Sequence, residues 1–185
     1  MEKMETNVNI IDKIKEFAIK KHEQPSDSQR YGSKPYSFHL EMVVENILRY
    51  KYLLPDEDHE DAIICGWGHD LIEDSDVTAK VLLKMFNQRV ADTIYRVSNE
   101  RGLDEIEILF KTLPKIWQSE LATFVKLCDR MANGRNSKNG TSDKSKRMYY
   151  KYKTQYPIFR YALKPVGEFD DMWVDLDEIF DYKGF

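Results

Sequence analysis

The stretch from Asp58 to Ile72 constrains this chain most, because it combines helical spacing with an almost unbroken apolar run, Ala62, Ile63, Ile64, Cys65 and Trp67. A helix that apolar is expected to cross the core instead of lying on the surface. It ends in Gly68-His69-Asp70-Leu71-Ile72-Glu73-Asp74, so the crossing delivers an imidazole and a carboxylate into a dry interior.

The pattern around it is helical throughout. Val8, Ile10, Ile11, Ile14, Phe17 and Ala18 recur at helical intervals and predict a first helix over 8–22, followed by a loop over 26–37. A second helix is expected over 39–53, opened by His39 and ended by Pro55. Helices are also expected over 78–86, 87–98 and 103–112. Pro114 reads as the first-turn proline of a long helix through Met131, with Asp129 near its end. Gly134 to Ser142 reads as a polar loop, followed by helices over 144–154 and 157–163 and an acidic amphipathic C-terminal helix within 168–185. No strand-period segment, fixed-period repeat or heptad is visible, so the expected fold is an all-α, single-domain helical bundle spanning 1–185.

Composition sets outer limits. With 185 residues, 42% of them hydrophobic, the chain has enough material for one core and little for a second. A net charge of −4 lacks the basic excess of a general nucleic-acid binder. No apolar run approaches a membrane span, and Met1 to Thr6 lacks the character of a signal peptide, so a cytoplasmic protein is expected. Cys65 and Cys128 lie in apolar runs and read as reduced core thiols.

Chemistry concentrates in a few residues. His39, the His69-Asp70 pair and Asp129 form a mixed nitrogen and oxygen set suited to Mn²⁺ or Fe²⁺, and less typical of structural zinc. If the core helix continues to Ile72, Glu73 falls four residues after His69 and three after Asp70, and Asp74 four after Asp70, along one side of its last turn. Carboxylates there can orient a water molecule and take its proton. Asp76 reads as a cap for the next helix, and His22 and His59 as surface residues.

The blocks Arg30-Tyr31-Gly32-Ser33-Lys34-Pro35-Tyr36-Ser37-Phe38-His39, His69-Asp70-Leu71-Ile72-Glu73-Asp74 and Asp129-Arg130-Met131-Ala132-Asn133 resemble the HD-domain metal-dependent phosphohydrolases. Within that superfamily they are similar to the hydrolase half of RelA/SpoT proteins and to small alarmone hydrolases, over about residues 14–163. The resemblance implies an Mn²⁺-dependent enzyme, with Fe²⁺ or Co²⁺ as other metals, that removes pyrophosphate from the ribose 3′ position of (p)ppGpp. It implies His39, His69, Asp70 and Asp129 as metal ligands, Glu73 and Asp74 as the water-activating pair, and Arg30 and Asn133 as substrate contacts. The chain departs from the family pattern in two places: after the arginine, where a second basic residue, a small residue, glycine and an acidic residue are frequent, Tyr31, Gly32, Ser33 and Lys34 stand, and Gly68 stands where leucine is usual.

Other readings share the metal site: a phosphatase acting on NADPH or another nucleotide, an enzyme removing pyrophosphate from RNA ends as an antitoxin, or a catalytically idle nucleotide sensor. Lys126, Arg130, Lys138, Lys144, Lys146, Arg147, Lys151 and Lys153, interleaved with Tyr149, Tyr150 and Tyr152, are the feature an RNA-facing protein would need. The preferred reading of that stretch is a solvated loop and an amphipathic helix with its tyrosines packed inward; whether Arg135 or Lys138 reaches a polyphosphate at the cavity rim is left open by the sequence. The expected partner is a small nucleotide.

Overall fold

The computed structural model of the chain describes residues 9–23 and 29–184. Val8, the segment Met1 to Thr6 and the start of the expected 26–37 loop lie outside the described residues. The helices are α1 (Ile10–His22), α2 (Ser37–Tyr50), α3 (His59–Gly68), α4 (Leu71–Asp74), α5 (Ala79–Met85), α6 (Gln88–Val97), α7 (Glu105–Trp117), α8 (Glu120–Asn139), α9 (Asp143–Leu163) and α10 (Asp170–Ile179). Between α1 and α2 a small antiparallel hairpin pairs β1 (Arg30–Tyr31) with β2 (Lys34–Pro35), Arg30 opposite Pro35 and Tyr31 opposite Lys34. This hairpin corrects the expectation of a plain loop. Strands of two residues are too short to show an alternating pattern, and Gly32 makes the reversal at φ 67°, a region glycine enters without steric cost.

The apolar helix crosses the core as expected: α3 packs against α1, α2, α6 and α8. It ends at Gly68, however, and a turn at His69 and Asp70 separates it from the short α4. The second central element is α8, which α2, α6, α7, α9 and α10 surround. Phe124, Val125, Leu127, Cys128 and Met131 on it are fully buried, and burying each large apolar side chain contributes about 1.5–3 kcal/mol. Asn46 of α2 ties the two helices that carry His39 and Asp129. Its Nδ2 donates to the Cys128 carbonyl at 3.0 Å, and its Oδ1 accepts from Arg135 at 2.7 Å.

Three expected breaks are absent. Pro114 lies inside α7, and the break comes instead at Ser119, whose hydroxyl accepts from the Ala122 amide at the start of α8. The carbonyl that Pro114 leaves unpaired belongs to Phe110, an exposed position where water can satisfy it. Pro157 lies inside a continuous α9. Gly134 interrupts nothing, so α8 runs on to Asn139 and Asp129 sits in its middle. A side chain at Gly134 would place its Cβ 2.7 Å from both Ile179 Cγ2 and Phe180 Cζ, so the glycine is there to let the C-terminal helix approach. No helix among the described residues is long and apolar enough to cross a membrane.

Gly134→Ala should destabilise the fold by about 1–3 kcal/mol, the range for overfilling a packed contact, despite alanine's better helix propensity. Urea denaturation measures this; a variant as stable as the parent would show that the approach of α10 does not depend on the missing side chain.

Candidate metal centre

Three elements converge on one point. His39 lies in the first turn of α2, His69 and Asp70 in the turn that ends α3, and Asp129 in mid-α8. His39, His69 and Asp70 each present a ligand atom within 4.8 Å of the others. The Nε2 atoms of the two histidines are 3.2 Å apart, and Asp70 Oδ2 is 3.0 Å from His69 Nε2 and 3.4 Å from His39 Nε2. Asp129 Oδ1 stands 3.3 Å from His39 Nε2 and 3.7 Å from His69 Nε2.

The donor set fits a divalent cation on its own chemistry. His69 Nδ1 lies 2.8 Å from the Gly66 carbonyl, which can only accept, so this nitrogen carries the proton and the neutral ring turns a lone pair toward the cluster. Tyr31 stacks on the His39 ring at 4.7 Å and 17°, while His39 Nδ1 is buried without a hydrogen-bond partner among the described residues. Burial alone would depress both imidazoles. For His39, hydrogen bonds to Asp129 and Asp70 outweigh it and lift the ring to about 9; for His69 the charge of Asp70 is the leading opposing effect. Burial likewise disfavours the carboxylates, but His69 and His39 hold Asp70 well below its usual range, and Lys126 leads the same effect on Asp129. These groups together attract positive charge, and a metal ion would satisfy them as protons do.

The carboxylate of Asp129 is held at both ends. Lys126 Nζ lies 3.1 Å from Oδ2, and Asn133 Nδ2 donates to Oδ1 at 2.6 Å. The Tyr31 hydroxyl in turn donates to Asn133 Oδ1 at 2.8 Å. Tyr31, which departs from the family pattern, thus supports both a histidine and an aspartate of the cluster. Gly68, the other departure, is buried with Ile94 Cδ1 2.7 Å from where a Cβ would stand, so Ile94 occupies the space a larger residue needs.

The acidic pair is divided. Both oxygens of Glu73 accept from Asn99, one from its backbone N–H and one from its Nδ2, each at 2.9 Å. Asp74 Oδ2 lies 2.8 Å from the Tyr36 hydroxyl, which is also 2.6 Å from Asp70 Oδ2. Burial, then the negative charge of Asp70, raises Asp74 to about 6. Glu73 and Asp74 both line the cavity above the cluster, although the unbroken helix expected to aim them there ends at Gly68.

That cavity has a volume of about 240 Å³ and is walled by Tyr31, Lys126, Arg130, Lys151 and Tyr152 as well as the acidic groups. A neighbouring cleft of about 200 Å³ shares Tyr31, Asn133 and Tyr152 with it, and Arg30 lines this second cleft. The Arg30 guanidinium donates to the Ser33 carbonyl. Asn133 belongs to both spaces. Arg135 and Lys138, which the sequence left open as rim residues, do not line the cavity: Arg135 binds Asn46 and Asp175, and Lys138 binds Asp181 and the Glu178 carbonyl. His22 is also corrected, since it is fully buried, and His59 is half-buried against the Leu54 carbonyl. In the basic stretch, Lys151 and Lys153 pair with Glu105 and Asp181, the Tyr149 hydroxyl donates toward the Ile179 carbonyl and Asp181, and Tyr150 is exposed.

No protein-family model matches the chain, and no curated protein matches it in sequence. Its structure is similar to that of a metazoan ortholog of SpoT, described as hydrolysing ppGpp and playing a role in starvation responses. The TM-score is 0.74 at 22% identity, over 95% of this chain and 96% of that chain. At that identity the likeness establishes the fold, the all-α helical bundle expected from the sequence.

Asp70→Ala and Asp129→Ala should each lose stoichiometric divalent metal while keeping wild-type circular dichroism. Elemental analysis after dialysis against Mn²⁺ measures it, and full occupancy in both variants would sink the proposed ligand set.

Proposed function

We propose that this chain is an Mn²⁺-dependent phosphohydrolase that cleaves the 3′-pyrophosphate of (p)ppGpp, acting on a small nucleotide in the cytoplasm. The observation that carries this reading is the convergence of His39, His69, Asp70 and Asp129 beneath a cavity edged by Glu73 and Asp74. It is supported by the fold shared with a protein described as hydrolysing ppGpp.

His39, His69, Asp70 and Asp129 would hold the cation. When bound, such an ion makes water more acidic and offsets negative charge on a phosphoryl oxygen. Asp74 takes the proton of the attacking water, a role suited to a carboxyl raised to about 6, where the ionised form predominates at neutral pH. Water oxygen bonds to the phosphorus attached to the ribose, the bond from that phosphorus to the 3′ oxygen breaks, and the proton held by Asp74 passes to the 3′ oxygen. Pyrophosphate and a 5′-diphosphate nucleoside with a free 3′ hydroxyl result from ppGpp. Asn99 fixes Glu73 as a second negative charge beside Asp74, one of the effects that keep Asp74 basic. Lys126, Arg130 and Lys151 supply positive charge to the cavity wall for the phosphates. The nucleoside would occupy the second, less polar cleft beside Tyr31 and Tyr152, with Arg30 and Asn133 as its contacts.

Asp74→Asn and Glu73→Gln should retain metal but turn over about 10²- to 10⁴-fold more slowly, the usual contribution of general acid–base groups. Wild-type rates in both would make the pair structural. The substrate is tested by incubating purified protein and Mn²⁺ with ppGpp, NADPH and pyrophosphorylated RNA separately. GDP and pyrophosphate from ppGpp are expected. Activity confined to NADPH or RNA would keep a metal mechanism and overturn the alarmone assignment.

A further inference from the structure

His22, the last residue of α1, has no place in the reaction as drawn, yet it is fully buried and joined to Asp74 by two separate routes. Along the first, the ring of His22 stacks on Tyr36 with centroids 4.5 Å apart and planes 20° from parallel. The hydroxyl of Tyr36 then meets the Asp74 carboxylate at 2.8 Å. Along the second, His22 Nδ1 lies 2.7 Å from Gln29 Oε1, and Gln29 Nε2 donates to the backbone carbonyl of Asp74. The Gln29 amide N–H also donates to the His22 carbonyl at 2.8 Å, closing the arrangement on itself.

The proton positions along the second route follow from donor chemistry. A carbonyl only accepts, so the Gln29 nitrogen faces Asp74 and the Gln29 oxygen faces His22. That oxygen only accepts, so His22 carries its proton on Nδ1. His22 Nε2 is then a buried lone pair with no hydrogen-bond partner among the described residues. Leaving a polar atom unpaired is costly, and a plain apolar ring would pack there without that cost. What the imidazole supplies beyond an apolar ring is the Nδ1–H that fixes Gln29.

We propose that His22 is a positioning residue: it holds the carboxylate of Asp74 through Tyr36 and the backbone of Asp74 through Gln29, so that the oxygen meeting the attacking water is fixed. This rests on the reading that Asp74 takes the proton. Among the described residues, no hydrogen bond or ring stacking joins His22 to any of the four groups assigned to the metal.

Two measurements test it, one of them without turnover. In metal-free protein, His22→Ala and Gln29→Met should speed amide hydrogen exchange across residues 70–75 by about tenfold, with exchange in α8 and α9 unchanged. Gln29 lies outside the core, so its variant keeps the test open if His22→Ala fails to fold. In the Mn²⁺-loaded enzyme with ppGpp, both variants should lower kcat about 10- to 100-fold with KM and metal content unchanged, and His22→Ala/Asp74→Asn should be no slower than Asp74→Asn alone. Wild-type exchange across 70–75 in the folded variants overturns the proposal. So does a double variant whose loss is the product of the single losses, because His22 would then act independently of Asp74. If the wild-type protein hydrolyses no offered substrate, the reading of the reaction fails while the exchange measurement still decides whether His22 holds the segment.

Discussion

Two imidazole nitrogens 3.2 Å apart, each with an oxygen of Asp70 and of Asp129 at 3.0–3.7 Å, crowd lone pairs that repel unless positive charge lies among them, and this bundle holds them there in its interior. The repulsion is restrained by geometry. α3 ends where α2 and α8 flank it, and Asn46 fixes α2 against the backbone next to Asp129. Each donor then has its own brace: the Gly66 carbonyl for His69, Tyr31 for His39, Tyr36 for Asp70, and Lys126 with Asn133 for Asp129. Without these braces the side chains would rotate apart toward water.

Such an arrangement is poor as a source of stability. Taking charged groups such as Lys126 and Asp129 out of water costs several kcal/mol each, which their attraction recovers only with good geometry, whereas removing one partner of a buried pair typically costs about 3–5 kcal/mol. Replacing the pair by apolar residues would serve the fold as well or better. The charged set is therefore not what stabilises the bundle, and the stability comes from the apolar faces of α3 and α8 around it.

The fold class was legible because helical periodicity is local, and the His-Asp run was legible because its residue types are rarely placed in an apolar helix without a purpose. What failed had non-local causes. Pro114 and Pro157 break a helix only if nothing else holds it, and packing of flanking residues such as Leu113 and Phe159 holds these. Gly134 reads as a breaker until α10 is seen to pack against it. His22 sits among lysines in sequence, yet the loop that carries Gln29 and Tyr36 folds over it. The bond from Glu73 to Asn99 spans 26 positions and has no sequence signature. Tyr36 had one: it precedes His39 by three residues, an interval that places both on one side of a helix start.

Carboxylates outnumber cations in the cavity wall. Asp70, Glu73, Asp74, Glu105 and Asp129 line it against Lys126, Arg130 and Lys151, which is five carboxylates facing three cations. Protons drawn to His39, lifted to about 9, and to His69, also raised, offset this excess in the metal-free protein. A divalent cation that displaced those protons would supply the same positive charge. For a nucleotide bound as proposed, the residues that would hold the metal also set the charge its phosphates meet, because Lys126, Arg130 and Lys151 attract phosphate best where the wall's carboxylates are offset. Lys126 is paired with Asp129 and Lys151 with Glu105, so their attraction for an anion depends on how fully those carboxylates are engaged elsewhere. Coordination of Asp129 would weaken its hold on Lys126 and leave that ammonium freer to face the substrate.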